Sequence, residues 1–436
     1  MNTFATQVLR GERPLFAMFQ TLGTQGLILC ANLATGILMA RLLGPDGRGE
    51  FTAVSLWPQL LAMLAVAGMN GALVYRLRKS PADAPEIVGA ALLAGSGFAL
   101  LATIAGMIIL PFALAQYDAR VIWFAELCLI SVFVNTLTMI VKQACAGVGR
   151  FARGNAANLL PQVMHLIVLL AVLPFAVLTP TLAVLALLGA GLISLLMILP
   201  GFWRALRPRF AGAWKELPAL LSFSGRGSIN DLVFALSMYL DRLVLIPLLP
   251  PAQLGLYVVA FSFSRLLQFA QTAITSVFLS QLSAVAPSEA AVLHDRALRF
   301  LVASMTAACI VLWFVGETLL SFAFGADFVA ANPIFRLLAA EAALGVFSQV
   351  TVQLFFARGR PGVVSTLQLA TLGLSLAGLL LLTPLYGATG AAVALAIAGA
   401  VRWIALLIAA RVVLKQPFPR LLLGRDDLTY LSGRLR

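Results

Sequence analysis

The sequence predicts an all-α polytopic membrane protein with about twelve transmembrane helices in two parallel six-helix repeats. Composition, long apolar runs and a one-sided distribution of basic residues lead there. Of 436 residues, 61% are hydrophobic and 11% are charged, and the mean hydropathy is +0.98. A soluble domain carries about 25% charged and roughly 45–50% apolar residues. Such an apolar excess does not fit inside one core of ordinary size. It excludes a soluble enzyme, a disordered chain and a nucleic-acid-binding domain, and points to a bilayer as solvent.

A spanning helix needs about 20 mostly apolar residues. Twelve runs meet this: 16–40, 51–75, 87–113, 121–144, 159–178, 182–203, 217–249, 254–283, 298–322, 334–357, 363–382 and 388–413. The first run lasts over twenty residues with no small-residue cleavage site after it, so no removable signal is expected. Cys30, Cys128, Cys145 and Cys309 lie in or beside apolar runs without metal-ligand spacing, which argues against disulfides and zinc.

The net charge is +13. If both ends lie on one side, that side holds twenty-two basic residues. The other side holds four, Arg41, Arg48, Arg120 and Arg336. Positive charge stays on the cytoplasmic side, so both termini are expected in the cytoplasm. The clusters Arg204, Arg207, Arg209 and Lys215 then serve topology and anionic headgroups. They leave no reason to invoke nucleic acid.

The halves repeat. Residues 43–51 align with 249–257 at an offset of 206, Gly149-Arg150 with Gly359-Arg360 at 210, and Leu178-Thr179-Pro180 with Leu382-Thr383-Pro384 at 204. Six helices per repeat give both copies one orientation, related by an axis along the membrane normal. The expected domains are 1–215 and 216–436, the second ending in a short cytoplasmic tail. A binding cavity is expected between them.

A charge at the bilayer centre costs roughly 2.5–3.5 kcal/mol on insertion scales, so it faces a cavity or a partner. Arg226, Asp231, Asp241, Arg242 and Arg265 concentrate in the seventh and eighth runs; Glu126, Glu341 and Arg402 are scattered. Thr21, Gln25, Ile28, Asn32 and Thr35 form a mostly polar stripe on the first run, and Ser55, Gln59 and Asn70 interrupt the second. On the eighth, Ser262, Arg265, Phe269, Thr272 and Ser276 share a face that Gln268 and Gln271 broaden. On the seventh, Asn230, Phe234, Ser237 and Asp241 form one line. Ser224, Ser228, Asp231, Ala235, Met238 and Arg242 form another. Asp241 and Arg242, being adjacent, are expected to diverge. These polar faces either line a vestibule or bond neighbouring helices. Glu341 and Glu126 read as structural pairs, His165 as a helix–helix hydrogen bonder and His294 as a solvated loop residue. Gly44-Pro45-Asp46-Gly47-Arg48-Gly49 reads as a turn; it lacks the Gly-Lys-Ser/Thr ending of a phosphate loop. No ATP-binding motif occurs, so energy would come from a gradient, the membrane potential or a downstream process.

Ala40-Arg41-Leu42-Leu43-Gly44-Pro45-Asp46-Gly47-Arg48-Gly49-Glu50-Phe51 resembles the first-loop signature of polysaccharide flippases. These belong to the multidrug/oligosaccharidyl-lipid/polysaccharide exporter superfamily. Asp241-Arg242-Leu243 with Leu254-Gly255-Leu256-Tyr257 resembles the matching element of the second half, and Leu382 to Ala392 the approach to its last common helix. The resemblance implies a V-shaped pair of bundles that alternates between inward- and outward-open states. It implies transport of an undecaprenyl-pyrophosphate-linked glycan across the bacterial inner membrane, without enzymatic activity or a bound cofactor. Its partners would be the lipid-linked glycan, the bilayer, and a polysaccharide polymerase with export machinery. A cationic lumen residue then has a task, the pyrophosphate. By the resemblance Arg265 is the first headgroup ligand and Arg41 and Arg48 the second. Gln25, Asn32, Gln59, Gln268 and Gln271 would meet sugar hydroxyls. The lipid II flippase usually adds two helices and carries more Arg in its first and second, whereas the first run here is uncharged. The drug-efflux branch couples export to protons or sodium through an acid in the first or seventh helix. Asp231 and Asp241 keep that alternative open. A membrane glycosyltransferase or polymerase would need larger outer loops.

Overall fold

A computed structural model describes residues 14–268 and 287–421, and among these there are helices and turns but no strand. The order is α1 Pro14–Ala65, α2 Met69–Lys79, α3 Ala84–Ala113, α4 Ala119–Cys128, α5 Ile130–Gly147, α6 Phe151–Val172, α7 Pro180–Leu206, α8 Ala213–Leu248, α9 Pro251–Ser264, α10 Pro287–Phe324, α11 Asn332–Ala357 and α12 Pro361–Val413. Eight described stretches are long and apolar enough to cross a membrane. Two of them are double. α1 turns back at Gly44 (φ 67°, ψ −177°) and α12 at Gly387 (φ 60°, ψ −145°). With these divided, and with α8 and α9 added, a described helix lies in each of the twelve runs, and residues 269–283 of the eighth lie outside the described residues.

The turn expected over 44–49 is much tighter than its breaker residues suggest. Only Gly44 leaves helical geometry. Pro45 then occupies the first position of the next helical arm, where its fixed φ fits and its missing N–H is no loss. The second run is not one helix. Its chain breaks at Gly68 (φ 76°), and α2 starts again at Met69. Nothing in the hydropathy marks this break.

The chain divides into two compact units, 1–247 and 248–436. In the first, α2, α3, α5, α6 and α7 close around a core of Leu73, Leu77, Ile87, Val88, Ile140, Val141 and Phe202. α8 joins this unit through α2. Arg76 pairs with Glu216, Tyr75 stacks on Phe223 at 4.7 Å, and Ser228 Oγ donates to the Ala67 carbonyl at 3.4 Å. At the other end of α8, Gln116 donates to the Ile246 carbonyl. The packing boundary at 247/248 therefore falls later than the repeat boundary expected at 215/216.

In the second unit α11 is central. Phe335, Leu338, Ala342, Val346, Val350 and Leu354 recur every three to four residues and all are buried. Val346, Phe347 and Val350 pack with Leu298 and Leu301 of α10.

Two pieces of backbone repeat across the units. Gly149 (φ 76°) follows α5, Gly149 N–H donates to Ala146 and Arg150 N–H to Cys145. Gly359 (φ 64°) follows α11, Gly359 N–H donates to Phe356 and Arg360 N–H to Phe355. These are Schellman caps, bond for bond, at an offset of 210. The third sequence anchor does not match structurally. Thr179-Pro180 starts α7, with Thr179 Oγ1 accepting from Leu182 N–H at 3.2 Å, whereas Thr383-Pro384 lies inside α12 before its turn.

Candidate functional site

The charges that looked scattered in the second unit meet. Arg265 sits at the C-terminal cap of α9, and its guanidinium reaches the Glu341 carboxylate of α11 at 3.0 Å. The same guanidinium lies over the Phe261 ring, 4.2 Å from its centroid. Arg402 lies on the second arm of α12, one turn after Gly399, and that arm packs against Glu341. Its Nε is buried without a hydrogen-bond partner among the described residues. Glycines make room for the cluster. A Cβ on Gly399 would lie 3.5 Å from Glu341 Cγ, and one on Gly345 would lie 2.8 Å from the Gln268 amide nitrogen.

Depth follows from helix rise. At about 1.5 Å per residue, Arg265 is roughly 21 Å from the start of α9 and Glu341 roughly 14 Å from the start of α11. Arg402 is about 21 Å from the residue after the Gly387 turn. All three thus lie well inside their helices, about 14–21 Å from an end, and a spanning helix crosses a hydrocarbon layer about 30 Å thick. Two guanidinium groups and one carboxylate thus leave one positive charge in excess.

Of the other proposed ligands, Gln25, Asn32, Arg41, Arg48 and Gln59 lie in the first unit. Gln25 and Asn32 are exposed on the first arm of α1, two turns apart, and Arg41 is exposed near its end. Gln59, exposed on the second arm, donates to the Ser55 carbonyl at 3.0 Å. Arg48 points inward. It donates to the thioether of Met39 at 3.5 Å, a weak acceptor, and lies 5.4 Å from the Phe51 ring centroid. On its other side Phe51 stacks with His165 at 6.3 Å. His165 therefore joins helices by stacking, and its Nε2 is buried without a hydrogen-bond partner among the described residues. Gln271 lies outside the described residues.

Asp231 and Asp241 have different surroundings. Asp231 accepts the Gly68 N–H at 2.8 Å, so its carboxylate holds the break between α1 and α2. Asp241 is buried at 6% exposure. Contrary to the expected divergence, it approaches Arg242 at 3.8 Å, because the long Arg side chain folds back along the helix toward the Tyr239 ring. His294 is likewise not solvated. α10 extends well before its apolar run, and His294 is 3% exposed on it beside Asp295.

A model of the polysaccharide biosynthesis protein family matches residues 38–333. The chain belongs to that family. The match starts before the Gly44 turn and takes in α9, Arg265 and the start of α11. Among solved structures, the lipid II flippase MurJ in an inward closed conformation superposes with a TM-score of 0.76. The two are 14% identical over 94% of this chain and 90% of that one. An inward-facing multidrug resistance transporter of the same superfamily gives 0.68 at 16% identity, over 91% and 94%. A superfamily transporter from Pyrococcus furiosus, described as having a binding pocket of reversed polarity, gives 0.56 at 16% over 95% and 98%. No curated protein sequence matches. At such identities these structures share the fold, an all-α polytopic transporter fold. These neighbours are described as a flippase and transporters.

Proposed function

We propose that this family member flips an undecaprenyl-pyrophosphate-linked oligosaccharide across the bacterial inner membrane by alternating access, for exopolysaccharide, capsule or O-antigen synthesis. One observation carries the reading: a polysaccharide-biosynthesis family chain with a flippase fold gathers two guanidinium groups, Arg265 and Arg402, around one carboxylate, Glu341, on apolar helices. A diphosphate headgroup is the anion such a charge would attract, and an Arg fork suits its geometry. Arg265 is the leading headgroup ligand, with Arg41 and Arg48 as entry or exit contacts. Gln25, Asn32, Gln59, Gln268 and Gln271 are the proposed sugar contacts. The duplicated bundles are taken as 1–215 and 216–436, both termini as cytoplasmic, and a polymerase with its export machinery as the recipient. Deleting the gene should cause lipid-linked glycan to accumulate on the cytoplasmic face and surface glycan to fall. Unchanged surface glycan with no accumulated intermediate would sink the reading.

A second reading, a proton- or sodium-coupled drug exporter, is favoured by the buried carboxylate of Asp241 on α8. Asp231 is its other coupling candidate. It predicts altered susceptibility to cationic drugs that is lost on Asp241→Asn.

A further inference from the structure

Arg265, Glu341 and Arg402 come from three helices of one unit, α9, α11 and α12. One carboxylate cannot neutralise two guanidinium groups. Glu341 Oε2 approaches Arg265 at 3.0 Å, yet both that oxygen and Arg402 Nε are buried with no hydrogen-bond partner among the described residues. A buried ion pair returns its desolvation cost only when every charge is matched and hydrogen-bonded. This cluster is one anion short. The same imbalance would be removed at the least disturbance by exchanging Glu341 for a group with more negative charge and more acceptor oxygens.

We infer that Glu341 is a built-in stand-in for the cargo's anionic headgroup: a diphosphate displaces it from Arg265, engages Arg402 as well, and is displaced by Glu341 in turn on release. The inference deepens the flippase reading and rests on it for the identity of the anion. Its physical sense lies in transport itself. A mid-membrane site must bind strongly enough to admit its cargo and weakly enough to let it go. Two arginines facing an empty site would hold a diphosphate tightly, because charge-assisted bidentate contacts are strong in a medium of low polarity. An internal carboxylate that competes for the same guanidinium lowers that affinity in both directions of the cycle. Glu341 is thus a specificity and release residue, and Arg402 a second headgroup ligand.

The test uses the full-length protein in nanodiscs, titrated calorimetrically with inorganic pyrophosphate. Glu341→Gln removes the competitor while keeping the side-chain size, and should bind pyrophosphate at least about tenfold more tightly than wild type. Glu341→Asp keeps the charge and should not tighten. Arg402→Gln and Arg265→Gln should each weaken binding about tenfold or more. If Glu341→Gln alone does not fold, the double variant Glu341→Gln/Arg402→Gln restores the original charge surplus and should still bind pyrophosphate. Unchanged or weaker binding by Glu341→Gln overturns the inference, as does binding by neither wild type nor Glu341→Gln, or loss of binding in the double variant. Polyprenyl pyrophosphate in the nanodisc lipid separates the two sources of the anion: competition with inorganic pyrophosphate supports a headgroup site, and its absence overturns that assignment. Glycan export reports on the flippase reading independently. A deletion without effect on glycan, alongside tightened binding in Glu341→Gln, would discard the flippase and keep the stand-in. Impaired export with no tightening would do the reverse.

Discussion

Replacing Gly68 by Ala tests how α8 is held to the first unit. Gly68 has φ 76°, and a Cβ there would lie 2.1 Å from the Ser224 carbonyl oxygen and 2.7 Å from Ser228 Oγ. Left-handed backbone costs a non-glycine residue about 1–2 kcal/mol. The carbonyl belongs to helix backbone and cannot rotate away, so α8 must move, at an overpacking cost of about 1–3 kcal/mol. Movement also stretches the 2.8 Å bond from Gly68 N–H to Asp231, and a hydrogen bond to a charged group is worth about 1.5–3 kcal/mol. These costs overlap, so a total of about 3–5 kcal/mol is expected. Gly149 supplies the control. Its φ is also 76°, but a methyl group there would meet nothing within 4 Å, leaving the backbone cost alone. Gly149→Ala should therefore cost about 1–2 kcal/mol. At roughly 2–4 °C per kcal/mol for a domain of this size, Gly68→Ala should melt about 5 °C or more below Gly149→Ala in the same detergent. Equal melting points for the two variants would refute the close contact between α8 and the helix break.

Arg265→Ala should impair glycan export far more than Ser262→Ala; equal export would remove Arg265 from the site. The Arg76–Glu216 pair is partly exposed, so a double-mutant cycle on thermal stability should give a coupling of about 0.2–1 kcal/mol, and a charge swap should recover most of it. Thr179→Ala removes the α7 N-cap and should cost about 1 kcal/mol, read as a fall in melting temperature that Thr179→Ser largely avoids. Tyr117 lies between α3 and α4, where burial first and the negative charge of Glu50 second push its phenol up to about 12. The unfolded chain loses that proton near pH 10, earlier than the folded one, so this tyrosine's contribution to stability is present below pH 10 and is lost as pH rises toward 12. Tyr117→Phe should therefore flatten the decline in melting temperature between those pH values; an unchanged decline would contradict the burial of the phenol.

Much of the fold was legible because the bilayer imposes it. Apolar runs long enough to span, and the turn marked by Gly44-Pro45, are local consequences of composition and backbone chemistry. The break at Gly68 was not legible, because one glycine in an apolar run reads the same whether or not another helix presses on it. What fixes that break is Ser224, Ser228 and Asp231, over 150 residues away in sequence. The polar lines on α8 were visible, but their partner was not. In the second unit Arg265 was recognisable as costly, and Glu341 as a member of some pair. Their pairing, and the approach of Arg402, depend on three helices meeting at one depth. Only the similar distance of each charge from the end of its own span hinted at that, and composition does not carry such information.

The Gly387 turn has a consequence for how the chain enters the membrane. Residues 361–401 contain no Asp, Glu, Lys or Arg, and the turn docks through Ala388 N–H on the Gln253 side chain at 3.2 Å. During synthesis this hairpin can partition into lipid as one apolar body, with no hydrophilic loop to drag through the translocon. Its difficult passenger is Arg402, which arrives last. By then Arg265 and Glu341 have both been synthesised, so the cation that completes the cluster arrives after its one carboxylate. A Glu341→Gln chain would thus carry its first handicap at the ribosome, as slower insertion of the final arm of α12, before transport is ever attempted.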